Sequence, residues 1–312
     1  MESELITFTS SDEKTTVSAV IWHNEATSTP RGIVQITHGM AEYIGRYKEF
    51  ASALCERGYV VCGHDDIGHG KSIGSKDEWG TLPSVDGERI LIEDVHKLRE
   101  LVTERYGADV PYFLLGHSMG SFVARYYLSY HAQGLAGAII SGTAQQPAFV
   151  SKMGRSLAKF IAKRKGDNHY SNLLHSMADG QYSSAIKDAR TSFDWLSCDE
   201  SVVDKYIEDE KCGFPFKAGG YATLIGLTYE IAQPANIERI PKDTPILFIS
   251  GAQDPVGNNG KGVEQAYQTY VSAGMSDVSI KLYEGMRHEI LNEFGKEQVV
   301  EDILAWLEER SA

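Results

Sequence analysis

The stretch "FLLGHSMGSF", residues 113–122, sets Ser118 between Gly116 and Gly120, directly after an apolar run. A serine that only packs or caps a helix needs no flanking glycines. Gly116-His117-Ser118-Met119-Gly120 fits G-x-S-x-G, a strand-to-helix turn too tight for side chains at the positions beside the serine. Such a turn lifts the hydroxyl above the sheet edge. It also aims the N–H groups and positive dipole end of the next helix at that hydroxyl. The pentapeptide therefore predicts a nucleophilic serine, provided that its surroundings form a parallel sheet and supply a base and an acid.

Short apolar runs alternate with longer amphipathic ones on both sides of this turn, the pattern of a mostly parallel sheet covered by helices. Residues 5–9 and 16–22 predict an opening antiparallel hairpin. "GIVQIT" (32–37), "YVVCGH" (59–64), "YFLLG" (112–116) and "LAGAIIS" (135–141) predict the strands that follow. Helices are expected near 44–57, 87–106 and 119–132, the second with Ile90, Val95, Leu98 and Val102 on one stripe. From about Gln146 to Gly226 the rhythm breaks into charged, aromatic, helical sequence without a core strand. It resumes with "PILFIS" (245–250), a helix near 260–273, "VSIKLYE" (278–284) and a last helix over 296–310. The expected layout is one core in two sequence halves, 1–145 and 227–312, with a helical cap inserted at 146–226.

A serine hydroxyl is a weak nucleophile at neutral pH and needs a histidine base oriented by a carboxylate. In a sheet of this kind the chain order is serine, acid, histidine. Of ten histidines only His288 lies beyond His175, and it follows the last strand-like run in "YEGMRHEIL". The acid should follow the preceding strand, where "ILFISGAQDPVG" offers Asp254 in a Gly- and Pro-punctuated loop. Asp243 and Asp277 precede their strands and fall at the wrong end. Ser118, Asp254 and His288 are thus the expected catalytic residues. The oxyanion needs backbone N–H donors from the residue after the nucleophile and from a loop after an early strand. These are Met119 and, in "ITHGMAEYIGRY", Met40, with His38 expected to be a structural hydrogen-bonding residue.

Thirty basic against 43 acidic residues in 312 give a net charge of −13, which argues against a nucleic-acid binder. The start, "MESELITFTSSDEKTT", has neither a basic nor an apolar leader region, and no run nears the length of a membrane span. A cytoplasmic location is expected. Cys55, Cys62, Cys198 and Cys212 lack a CxxC pair and are expected to be free buried thiols. "GHGKS" misses the first glycine of a phosphate loop, because Asp65 stands there. His64 and His69 lack metal-ligand spacing and no HExxH occurs, so neither metal nor cofactor is expected. Asp65 and His69 are expected to tie their loop into a fixed turn. A serine at the elbow excludes the dehalogenase and epoxide hydrolase chemistries that use a carboxylate there.

Five motifs together, "HGMAEYIGRY" (38–47), "HDDIGHGKS" (64–72), "GHSMGS" (116–121), "SGAQDPVG" (250–257) and "RHEILNE" (287–293), resemble the monoacylglycerol lipase, lysophospholipase and serine aminopeptidase (S33-like) group of α/β-hydrolases. The resemblance spans the core and touches the cap only at cues such as "FDWLS" (193–197). It implies the α/β-hydrolase fold, the Ser118, Asp254 and His288 triad, and Met40 and Met119 as oxyanion donors. It also implies that Glu42 and Arg46 border a polar substrate-binding subsite, which in the lipases of this group faces the glycerol end. Those lipases can carry a second histidine three residues after the catalytic one, where this chain has Leu291.

The leading expectation is a serine hydrolase that cleaves esters of single-chain lipids, of monoacylglycerol or lysophospholipid type, through an acyl-enzyme on Ser118. A proline-releasing aminopeptidase is the alternative, needing acids such as Glu42, Asp194, Asp199 or Glu200 near the pocket. A non-catalytic ligand receptor on the same fold is a second. Tyr170, Tyr182, Phe193, Trp195, Tyr206, Phe214 and Phe216 are either acyl-channel lining or cap core. In "VSKMGRSLAKFIAKRK" (150–165), Val150, Met153, Leu157, Phe160 and Ile161 share one side of a helix that also carries six positive charges. That helix is expected either to make peripheral contact with an anionic membrane or to close the pocket as a lid.

Overall fold

The computed structural model describes residues 1–24, 29–178, 180 and 182–311. Strands β1 (Glu2–Thr9) and β2 (Thr16–His23) form the expected hairpin, which joins the sheet through antiparallel pairing of β2 with β4 (Tyr59–His64). β3 (Gly32–Thr37), β5 (Tyr112–His117), β6 (Gly137–Ser141), β7 (Ile246–Gly251) and β8 (Val278–Tyr283) complete eight strands in the order β1-β2-β4-β3-β5-β6-β7-β8. Pairing from β4 to β8 is parallel throughout. Every residue of β3 to β7 is buried, so these strands read as mainly apolar runs without the alternation of a half-exposed sheet. The chain is an α/β-hydrolase in architecture.

Helices cover both faces. α1 (Lys48–Glu56), α2 (Gly87–Tyr106) and α3 (Met119–His131) follow β3, β4 and β5, the first preceded by a 3₁₀ turn at Ile44–Tyr47. The stripe that α2 buries is Leu91, Val95, Leu98 and Val102, with Ile90 only half-buried. The expected stripe was one residue out at its start, because Leu91 and not Ile90 is a full turn before Val95.

After β6 come α4 (Ala148–Lys165), α5 (Asn172–Ala178), α6 (Glu200–Glu208), α7 (Ala218–Glu230) and the short α8 (Pro234–Glu238). No strand is assigned among the described residues between β6 and β7. The expected cap boundary at residue 226 falls inside α7, because the helix runs on to Glu230 and packs against both α4 and the core helix α3. We place the insertion between β6 and α8. The last helices are α9 (Lys261–Ser272), which packs on β7 and β8, and α10 (Lys296–Glu308), which joins α1 on the opposite face. Cys55, Cys62 and Cys212 are buried, while Cys198 is only half-buried. Among the described residues no helix is long and apolar enough to cross a membrane.

Candidate active site

Ser118 occupies the turn between β5 and α3 with φ 55° and ψ −119°, a conformation that costs about 1–3 kcal/mol for a residue with a side chain. The flanking glycines make the turn possible. A Cβ on Gly116 would strike the Gly120 carbonyl, and one on Gly120 would strike the carbonyls of Thr37 and His38. Local bonds offset the strain. The Ser118 N–H donates to Ser141 O at 2.9 Å, and Ser121 donates to Ser118 O from its N–H at 2.9 Å and its hydroxyl at 2.6 Å.

Asp254 lies in the loop after β7 and is wholly buried. Its Oδ1 accepts the Val256 N–H at 2.8 Å, and its Oδ2 accepts the Ser250 hydroxyl at 3.2 Å and His288 Nδ1–H at 2.8 Å. With Nδ1 donating to a carboxylate, the neutral ring carries its lone pair on Nε2. That nitrogen is buried and has no hydrogen-bond partner among the described residues, and His288 and Ser118 line the same cavity. Burial alone would lower the pKa of His288, but the charge and hydrogen bond of Asp254 prevail and raise it above the ordinary 6.5. His117, at the elbow, sits with its ring 4.7 Å from that of His288. Burial first, and then the charge of His288, push its pKa down to about 4, so it stays neutral beside the base.

Met40 and Met119 both line the cavity. Among the described residues neither amide meets a backbone acceptor, which leaves two N–H donors at the positions expected for an oxyanion hole. The loop that carries Met40 is held from beneath. His38 Nδ1–H donates to Gly39 O at 2.8 Å and its Nε2 accepts the Asp66 N–H at 3.0 Å. Asp65 accepts the N–H groups of Ile44 at 2.9 Å and Lys71 at 2.8 Å, and His69 Nδ1 bonds Ile67 O at 3.0 Å. His38, Asp65 and His69 thus hold backbone.

Glu42 lines the cavity, whereas Arg46 does not. The Arg46 fork is engaged by Glu289 at 2.7 and 2.7 Å, and its Nη1 also reaches Glu42 at 2.6 Å. Arg46 opens instead on a neighbouring polar groove shared with Lys205 and Asn292. Arg46 thus stands behind Glu42, next to the cavity wall and not on it. Glu42 also accepts the Gly39 N–H at 2.6 Å and the Tyr47 hydroxyl at 2.8 Å. Burial would raise its pKa, yet the Arg46 charge holds the carboxyl well below the ordinary range. Glu289 is a residue the motif reading missed. Its adjacency to His288 was visible, but its pairing with Arg46, far away in sequence, was not. Leu291, in place of a second histidine, packs against the core under α1 and α10.

The cavity holds about 970 Å³. Tyr170, Tyr182, Phe193, Trp195, Tyr206 and Phe214 line it, while Phe216 is wholly buried core. Asp194, Asp199 and Glu200 are not among its lining residues. Asp194 accepts from Arg190 N–H and Thr191 Oγ1, and Asp199 caps α6 through the Ser201 N–H at 2.9 Å. α4 lines the cavity but its charges are not disposed as expected. It buries Ser151, Ala158 and Ala162, lines the cavity with Val150, Met153 and Leu157, and leaves Phe149 and Phe160 exposed away from it. Arg155 points inward, to Glu88 at 3.0 Å and Glu230 at 3.1 Å, with Lys159 3.5 Å from Glu88.

Known proteins share this arrangement of chain. The family model for serine aminopeptidase, S33, matches residues 28–295. A mouse monoglyceride lipase is 27% identical over 291 residues, covering 91% of this chain and 84% of that protein. An uncharacterized abhydrolase domain-containing protein of Dictyostelium discoideum is 29% identical over 301 residues, 96% of this chain, and this chain spans only 28% of its length. A thermostable carboxyl esterase from Bacillus coagulans, solved in complex with glycerol, superposes with a TM-score of 0.90 over 100% of both chains at 31% identity. The chain belongs to the serine aminopeptidase S33 family of α/β-hydrolases.

Proposed function

We propose that this ester hydrolase cleaves single-chain lipid esters, of monoacylglycerol or lysophospholipid type, through an acyl-enzyme on Ser118. His288 Nε2 takes the Ser118 proton as Oγ attacks the ester carbonyl, and Asp254 stabilises the imidazolium through Nδ1. The Met40 and Met119 N–H groups hold the oxyanion. The alcohol leaves with the proton from His288, and water, deprotonated by the same nitrogen, then releases the fatty acid. One observation carries the reading: the buried, unpartnered Nε2 of an Asp-held histidine lines the same largely apolar cavity as a strained serine. The mouse and Bacillus coagulans relatives, named for monoglyceride and carboxyl ester cleavage, support the ester over the peptide. So does the engagement of Glu42 and Glu289, the acids that line the cavity among the described residues, each of which is already paired with Arg46.

A p-nitrophenyl ester series tests the acyl part. From acetate to octanoate kcat/KM should rise by up to about fourfold per methylene, since each buried CH₂ contributes at most about 0.8 kcal/mol. A prolyl-naphthylamide should not be cleaved. Equal rates on acetate and octanoate with fast amide cleavage would establish the peptidase instead.

The outward face of α4 supports a peripheral approach to lipid. Phe149 and Phe160 are 71% and 57% exposed, with Lys163, Arg164 and Lys165 exposed at the helix end. The wild type should co-sediment with phosphatidylserine vesicles at low salt but not with phosphatidylcholine vesicles. Phe149→Ser with Phe160→Ser should lose that binding and keep p-nitrophenyl acetate hydrolysis. A wild type that ignores both vesicles makes α4 a lid alone.

A further inference from the structure

The loop that carries His288 is fastened to the cap as firmly as to the sheet. It has little regular structure of its own beyond a 3₁₀ turn at Ile290–Asn292. The core holds its start, where the Gln253 N–H donates to Met286 O at 2.9 Å. Around the histidine the bonds change sides. Arg287 Nη1 donates to the cap carbonyls of Asp194 at 2.6 Å and Ser197 at 3.1 Å. The Glu289 N–H donates to Leu196 O at 2.7 Å. One oxygen of the buried Glu293 receives both the Arg287 N–H at 2.8 Å and the Cys198 N–H at 2.9 Å, so a single carboxylate pins the two segments together. The Ser197 hydroxyl donates to Asn292 O at 3.4 Å, and Cys198 Sγ donates to Gly285 O at 3.3 Å. The Trp195 ring lies 5.1 Å from that of His288.

We infer that the cap segment Asp194–Cys198 is the brace that positions the catalytic base, with Arg287 as the positioning residue that joins the two. The inference rests on the reading of His288 as that base. Asp254 fixes one ring nitrogen, but a single hydrogen bond leaves the ring free to swing about it, and Nε2 must point at Ser118 within a few tenths of an ångström. The residues on either side of His288 set that swing, and both are bonded to the cap. The same segment presents Trp195 and Leu196 to the cavity, with Phe193 just before it. An acyl chain resting on these side chains therefore leans on the element that aims the base. This gives the cap a part in the chemical step as well as in substrate binding.

Arg287→Met removes both hydrogen bonds that Nη1 makes to the cap and touches neither the cavity nor the reacting atoms. It should lower kcat for p-nitrophenyl butyrate about 10- to 100-fold with KM changed less than about twofold, and slow labelling of Ser118 by a fluorophosphonate by a similar factor. Hydrogen exchange at the Glu289 amide should quicken while the chain still melts cooperatively. Arg287→Lys, which can still reach one carbonyl, should recover part of both rates. Wild-type kcat and labelling rate in Arg287→Met would overturn the inference. Should that variant not melt cooperatively, Glu293→Gln, which removes the charge shared by the two amides, is read in the same way. His288→Ala separates the two levels: inactive, with Arg287→Met like wild type, it overturns the brace alone, and if it stays active the assignment of the base fails first.

Discussion

Replacing Ser118 by alanine should lower kcat on p-nitrophenyl octanoate by about 10⁶ while the thermal melt holds or rises slightly. The size follows from the division of labour at the site. In the proposed mechanism alanine leaves the two N–H donors and the apolar wall in place but removes the atom that would form the covalent bond, so only binding and oxyanion stabilisation would remain. The melt should not fall, because the Ser118 backbone keeps its bonds to Ser141 and Ser121, and its side-chain hydroxyl stabilises nothing in the turn that they do not. Titrating the active sites of the preparation guards against trace wild type. A variant retaining more than a few per cent of wild-type turnover would remove Ser118 from the mechanism.

Asp254→Asn should cost about 10⁴ in kcat and also move the pH profile. In the wild type the charge of Asp254 holds His288 above 6.5, and the base works only when neutral, so kcat/KM should climb through an acid limb lying above pH 6.5. Asparagine presents no charge, so burial is then opposed only by the lesser charges of Glu289 and Glu42, and the residual activity should show that limb displaced to lower pH. The ring should also be free to take the other tautomer, which accounts for most of the loss. An unchanged limb in a weakly affected variant would mean that another acid orients His288.

The parts of this fold legible in the sequence are those fixed by local backbone needs. "GIVQIT" and "YVVCGH" coincide with β3 and β4, because strands buried on both faces keep a mainly apolar run that a few buried polar residues, such as Gln35 bonded to Val95 O, do not break. The elbow was legible because two backbone carbonyls forbid a Cβ at Gly120. Non-local facts were not. The sidedness of α4 depends on what covers it: the helix seats itself through Ser151, Ala158 and Ala162, and two of its cations turn inward to the buried Glu88. No local signal marks where the insertion ends, because α7 runs unbroken through the expected boundary at residue 226 and packs on both α4 and α3. Arg46 looked free to meet substrate until the fold brought Glu289 to its fork. Each of these outcomes depends on pairs of residues distant in sequence, for which helical periodicity carries no signal.

The covalent intermediate is the most direct test of the account. Wild-type protein mixed with p-nitrophenyl octanoate, quenched in acid within milliseconds and digested, should yield the peptide containing Ser118 with one octanoyl group attached, alongside a burst of p-nitrophenol. Turnover with no acyl group on the chain, or with the acyl group on a residue other than Ser118, would contradict it.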